Sequence, residues 1–148
     1  IKKNILRLLE SKNYDSGNSL KIVKAHNFSI GLSICYDLRF PLMYRKLTKK
    51  GAKCFFIPAA FTYTTGKAHW HSLLRARAIE NGCYVFAPAQ CGVHQNGRKT
   101  FGHSLIIDPW GVILKEAPDG VNIISAEINI SDIVDVRKKI PSITKFDF

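Results

Sequence analysis

Long hydrophobic runs are what this sequence most plainly lacks. Its longest apolar stretches, residues 54–57 and 83–87, fall far short of the roughly 20 residues a membrane helix needs. A membrane is therefore not an expected partner. Cysteine is sparse and poorly spaced for metal or redox work. There are four, Cys35, Cys54, Cys83 and Cys91, and no two stand as C-x-x-C. That removes the usual zinc and dithiol patterns. A set drawn from Cys35, Cys91, His69 and His71 has no spacing to support it, so no metal is expected. No N-terminal stretch joins a basic region, an apolar core and a small-residue cleavage site, so no secretory signal is read. The thiols are expected to be reduced and the location cytoplasmic. Methionine occurs once, at Met43, and the chain opens on Ile1. It reads as a piece of something longer, or as a protein whose start lies elsewhere.

Acidic residues are also scarce: 11 Asp+Glu stand against 22 Lys+Arg, for a net charge of +11. Such a balance raises nucleic acid as a partner. Fifteen of the 22 cations are lysines, scattered between Lys2 and Lys145. No aromatic-interleaved RNA-binding pattern or helix-turn-helix signature accompanies them. The charge reads as solvated surface, and no nucleic acid is expected. With 148 residues, 46% apolar and 22% charged, the chain suits at most one globular domain.

The pattern along the chain alternates strands and helices, an α/β class with antiparallel hairpins mixed in. Residues 2–10 have helical composition and 13–18 turn. Residues 20–25 alternate, His26-Asn27 turns, and 28–35 form an apolar run, together a hairpin with a buried second strand. A helix is expected over 41–50, stopped by Gly51. Buried strands are expected at 53–58 and 83–89. Between them residues 68–81 make the best helix, with Gly82 as its cap. Residues 91–100 read as a loop. Segments 104–107 and 112–115 flank the turn Asp108-Pro109-Trp110-Gly111 as a hairpin. Residues 121–128 read as a further strand. Ser131 or Asp132 would cap a short helix through Lys139, with an extended tail beyond Pro141.

The segment that carries chemistry is Phe28-Ser-Ile-Gly-Leu-Ser-Ile-Cys35-Tyr-Asp-Leu-Arg39-Phe-Pro41. A buried strand ends at a cysteine and a helix follows a few residues later. A sharp strand-to-helix bend projects its side chain out of the sheet. Backbone N–H groups after the bend can hold an oxyanion, and the helix's positive end and Arg39 favour a thiolate. From the local sequence alone, a nucleophile and a buried strand-end cysteine are equally weighted.

The wider pattern resembles the nitrilase (carbon–nitrogen hydrolase) superfamily. The matching segments are Gly31-Leu-Ser-Ile-Cys-Tyr-Asp-Leu-Arg-Phe-Pro41, Pro58-Ala-Ala-Phe-Thr62, Thr65-Gly-Lys-Ala-His-Trp70, Leu73-Leu-Arg-Ala-Arg-Ala-Ile-Glu80, Ala87-Pro-Ala-Gln90, Gly102-His-Ser104 and Asp108-Pro-Trp-Gly111. They cover about residues 9 to 141 in order. Within the superfamily they resemble the Nit branch, and there the deaminated glutathione amidases most, with ω-amidases as near relatives. The resemblance implies the C-terminal part of the nitrilase-type α-β-β-α sandwich. Residues 1–148 are then a partial domain whose N-terminal part, with base and acid, is missing.

The resemblance also implies roles. Cys35 is the nucleophile that attacks an amide carbonyl, releases ammonia and forms a thioester. Tyr36 supplies an oxyanion N–H. Arg39, Phe61 and Thr65 lie near a small amide substrate, Arg39 suited to a carboxylate by its planar fork. Phe61 as core packing and Thr65 as a turn hydroxyl remain open. Arg75, Arg77 and Glu80 read as structural, Asp37 as a backbone-orienting group, and His103-Ser104 as the start of a strand. No cofactor is implied. Family enzymes need a Glu base and a Lys acid ahead of the cysteine, and only 34 residues precede Cys35 here. Glu10 resembles the supporting carboxylate, and Lys2 or Lys3 is a remnant candidate for the acid. Leu42 stands where a Glu usually follows Phe-Pro. Little or no turnover is expected of this chain alone. The alternatives are an inactive remnant serving as a binding or assembly module, and a nucleic-acid binder. A homodimer or a complementing N-terminal fragment are the partners left open.

Overall fold

The structure is a computed structural model that describes residues 17–144. The helical reading of 2–10, and Glu10, Lys2 and Lys3 with it, lie outside the described residues. Strand β1 (Lys21–Ala25) pairs antiparallel with β2 (Phe28–Leu32) around His26, whose φ is +49°. A 3-10 turn (Cys35–Arg39) leads into α1 (Pro41–Lys49), then β3 (Cys54–Phe56), α2 (Tyr63–Asn81) and β4 (Tyr84–Ala87). A small hairpin, β5 (Cys91–Val93) with β6 (Lys99–Phe101), precedes β7 (Leu105–Ile107), β8 (Ile113–Glu116) and α3 (Ile130–Lys139). Six strands form one sheet in the order β1-β2-β3-β4-β7-β8. The inner pairs β2·β3 and β3·β4 are parallel and the outer pairs antiparallel. The expected α/β class is what is found.

Burial follows the pleat. On one face Phe55, Ile57, Val85, Ala87, Leu105 and Ile107 meet Tyr44 and Leu47 of α1 and Trp70, Leu74 and Ala78 of α2. Successive strand residues point to opposite faces, so Cys54 and Tyr84 turn the other way and pack with Ile133 of α3, beside Ile30 and Phe86. Strand pairing puts Val23, Leu32 and Phe56 on this second face, where all three are exposed.

Helix α2 starts five residues ahead of the apolar periodicity. Its first turn holds Tyr63, Thr64, Thr65 and Gly66, poor helix formers by propensity. Packing decides instead: a Cβ on Gly66 would lie 2.2 Å from Cβ of Phe101, so the bare backbone lets β6 settle on the helix. The helix ends as expected on Gly82, left-handed at φ +54°. The loop expected over 91–100 is the β5–β6 hairpin, closed by the His94 carbonyl accepting from Gly97 N–H at 2.8 Å. The expected hairpin around Asp108 is present, Asp108 Oδ1 accepting from the N–H groups of Trp110 and Val112.

Four further expectations fail. Residues 121–128 form no strand: no strand among the described residues pairs with them, and Val121 and Ile123 are 100% and 99% exposed. His103-Ser104 does not begin a strand: His103 has φ +56°, and β7 starts at Leu105. Neither Ser131 nor Asp132 caps α3. Asn129 does, its side chain accepting from Ser131 N–H at 3.1 Å, while Asp132 is drawn to the hydroxyl of Tyr84. The tail turns at residues 142–144 rather than extending.

Burial raises the Cys54 thiol from its usual 9.0 to about 12 and the Tyr84 phenol from 10.0 to about 12. In the unfolded chain both ionise at their ordinary values, so the stabilisation is complete below about pH 9 and declines as pH rises towards 12. The urea midpoint is expected to fall steadily over that window. In Cys54→Ala the fall is shallower, and an unchanged slope would refute the assignment.

Candidate active site

The carboxyl ends of the three parallel-connected strands β2, β3 and β4 build the candidate site. Open parallel sheets bind ligands at that end. Hydrogen bonds carry the sheet past its formal strands: Ser33 N–H donates to Phe56 O at 3.2 Å, Cys35 N–H to Pro58 O at 2.8 Å, Ile57 N–H to Phe86 O at 2.8 Å and Ala59 N–H to Pro88 O at 3.0 Å. Cys35 thus sits beside the loop that leads to Phe61. It is half-buried, with φ +46°. A non-glycine residue in the left-handed region is held there by its surroundings. Here Asp37 does the holding: its Oδ2 accepts from Ile34 N–H at 3.0 Å, and its own N–H donates back to Ile34 O at 2.9 Å. Asp37 therefore orients backbone, as the sequence suggests.

Arg77 fixes the same turn from α2. Its Nε and Nη2 donate to Leu38 O at 3.0 and 2.7 Å, and its Nη1 pairs with Glu80 at 3.0 Å. The guanidinium also lies 5.4 Å from the Tyr44 ring, and the Tyr44 hydroxyl bonds to Ser33 Oγ at 2.8 Å. The structural reading of Arg77 and Glu80 holds. Arg75 likewise donates to Gly111 O at 2.8 Å.

Of the sequence-derived site residues, Tyr36, Arg39 and Phe61 come together. The Arg39 guanidinium lies 5.6 Å from the Tyr36 ring centroid and 5.2 Å from that of Phe61, within cation–π range. Phe61 is buried and meets Trp70 at 5.0 Å. Thr65 belongs to the first turn of α2, four residues beyond Phe61, and its hydroxyl bonds to Thr62 Oγ1 at 2.8 Å and donates to Thr62 O. Glu10 lies outside the described residues.

Three contributors were missed. His69 Nδ1 lies 3.4 Å from Arg39 Nη1. Arg98 Nη2 donates to Ala60 O at 2.9 Å, and Phe101 N–H to Phe61 O at 3.0 Å, so the β5–β6 hairpin braces the Phe61 loop. His69 lies within the Thr65–Trp70 segment, 30 residues from Arg39. The other two depend on the β5–β6 pairing, which the polar, glycine-broken sequence of residues 91–100 does not signal. Cys35, Cys91 and His69 join no metal-type cluster among the described residues, and Cys91 Sγ donates to Gly120 O at 3.1 Å. A groove of about 310 Å³ between residues 89–94, 103–104 and 117–122 does not include Cys35.

Residues 2–138 match the carbon-nitrogen hydrolase family. The chain belongs to that family. This carbon-nitrogen hydrolase chain is 56% identical over 115 residues to the deaminated glutathione amidase of Synechocystis sp. PCC 6803, an alignment covering 78% of the chain and 42% of the relative. Among solved structures it resembles the NitFhit protein of Caenorhabditis elegans, with TM-score 0.91 and 41% identity over 99% of this chain and 35% of that one. It also resembles Saccharomyces cerevisiae Nit3, a member of branch 10 of the nitrilase superfamily, with TM-score 0.86 and 34% identity over 94% of this chain and 51% of that one. These likenesses bear out the nitrilase-type fold and the Nit branch. The chain spans under half the length of the curated relative it matches.

Proposed function

We propose that this chain carries the nucleophile and part of the substrate site of an amidase for small carboxylate-bearing amides, of the deaminated glutathione type named for its Synechocystis relative. One observation carries the reading: Cys35 stands at φ +46° at the carboxyl end of a parallel strand, with Arg39 on the same 3-10 turn. The Cys35 thiolate attacks the amide carbonyl and the oxyanion draws on Tyr36 N–H. The C–N bond breaks as the nitrogen takes a proton and leaves as ammonia. Water then hydrolyses the thioester, releasing the carboxylic acid and restoring the thiol. Arg39 binds the substrate carboxylate in its planar fork, its aromatic neighbours Tyr36 and Phe61 keeping it in place. Phe61 and Thr65 line the same side. Glu10 serves as the supporting carboxylate, and the base and the acid come from outside residues 17–144, Lys3 being one candidate for the acid. A complementing segment that brings them would also cover Val23, Leu32 and Phe56, and a second copy of the chain is the other occupant of that face.

Those exposed residues favour a second reading as well, an assembly module in which Cys35 is idle. Thiol alkylation separates the two. At a pKa of about 12, Cys54 holds about one thiolate in ten thousand at pH 8, and burial raises the Cys83 thiol too. Buried Cys54 therefore serves as the slow floor, and iodoacetamide is expected to label Cys35 more than tenfold faster than the half-buried Cys91 as well, read by peptide mass spectrometry; equal rates for Cys35 and Cys91 would overturn the nucleophile. The chain alone is expected to release no measurable ammonia from an α-keto amide. Turnover by the isolated chain that vanishes in Cys35→Ala would overturn the need for outside groups.

A further inference from the structure

Away from the Cys35 turn, three side chains from three different elements converge on one point. His71 comes from α2, Glu116 from the end of β8, and His103 from the link between β6 and β7. Glu116 Oε1 lies 3.0 Å from His71 Nε2 and 2.6 Å from His103 Nδ1, and the three ligand-type atoms all lie within 4.8 Å of one another. None of the three had a role in the amidase reading, and the zinc set weighed from sequence contained only His71.

The rings are held before any ligand arrives. His103 stacks on Phe101 with centroids 4.2 Å apart and planes at 26°. His71 meets Phe101 edge-on at 6.0 Å and His103 at 5.8 Å. Phe101 in turn is seated against bare Gly66. Trp70 Nε1 donates to His103 O at 2.7 Å, which pins the left-handed backbone that aims the ring. The cluster is also reachable: the three side chains are 33%, 30% and 37% exposed.

We infer that His71 Nε2, His103 Nδ1 and a carboxylate oxygen of Glu116 form a three-ligand binding site for a divalent transition metal of the zinc class. Two imidazoles and one carboxylate are a donor set zinc accepts, with a fourth position left to water. Hard cations such as calcium and magnesium prefer all-oxygen shells. Metal–donor bonds of about 2.0–2.1 Å in a tetrahedral arrangement put donors about 3.3 Å apart. The two nitrogens lie 3.0 and 2.6 Å from the carboxylate oxygen, and the three atoms all fall within 4.8 Å of one another, so the ion enters by side-chain adjustment around a cluster already assembled. It replaces the protons that now bridge these groups. Bound there, it ties α2 to β8 and to the β6–β7 link, and it stabilises the folded chain by mass action.

The test is calorimetric titration of the whole chain with zinc chloride alone, after iodoacetamide has blocked the accessible thiols. The expected result is one ion per chain with Kd at or below about 1 μM. Glu116→Gln and His71→Ala each weaken binding by more than the roughly 10–100-fold that losing an outer partner costs. Absence of saturable binding would overturn the site, as would binding that survives both variants. Should either variant fail to fold, cobalt(II) on the native sequence decides. Hyperfine-shifted imidazole protons from two histidines without a thiolate charge-transfer band support the site, and a thiolate band overturns it.

Discussion

Replacing Arg77 by methionine is expected to cost about 3–4 kcal/mol of stability, among the largest effects a single substitution can have in this fold. Methionine keeps most of the aliphatic stem, so the loss isolates the guanidinium. Two charge-assisted bonds to Leu38 O disappear, and Glu80 loses its charged partner, keeping only the longer bond from Asn81. The guanidinium is buried, so water does not replace what is lost. Arg77→Lys is expected to recover less than half, because an ammonium cannot reach one carbonyl with two donors and a carboxylate with a third. Urea unfolding followed by circular dichroism gives the free energies; a loss below about 1 kcal/mol in Arg77→Met would refute the account. A second readout links stability to the site. Leu38 lies on the 3-10 turn that begins at Cys35, so loosening it changes the alkylation rate of Cys35 while Cys54 stays slow.

What could be read from the sequence divides along physical lines. Strand–turn–helix alternation around Cys35, the Gly82 cap and the Asp108 turn were legible, because each depends on local chemistry: an apolar run, a left-handed residue, an Asx turn. The first turn of α2 was not, since its residues favour a helix poorly on their own and the close seat of Phe101 on bare Gly66 is a long-range contact. The β5–β6 hairpin escaped for the same reason. Its sequence is polar and glycine-broken, and what fixes it is Thr100 bridging Thr62 and Phe101 N–H bonding to Phe61 O. Residues 121–128 show the opposite failure: a legible strand pattern without a neighbour among the described residues to pair with. In the site, Tyr36, Arg39 and Phe61 followed from motif resemblance and do cluster, whereas the His69 contact with Arg39 spans 30 residues and left no periodic trace.

Trp70 is where the core, the Phe61 loop and the histidine pair meet, and its removal is the other large effect. The side chain is 1% exposed, packs on Phe61 at 5.0 Å and donates to His103 O at 2.7 Å. Trp70→Ala empties the largest fully buried side chain of the fold's described part and is expected to cost about 4–5 kcal/mol. Trp70→Phe keeps an aromatic body and removes only the indole N–H and some volume, and is expected to cost about 1–2 kcal/mol. The pair therefore separates packing from hydrogen bonding in one denaturation series. If Trp70→Ala cost no more than Trp70→Phe, the cavity argument would fail. The conservative variant has a consequence of its own. With His103 O no longer held, the left-handed backbone at φ +56° loses the bond that offsets its strain, and the ring it aims drifts from Glu116. Trp70→Phe is then expected to bind zinc more weakly than the native chain under conditions where both are fully folded, a result that a purely structural role for Trp70 in the core would not produce.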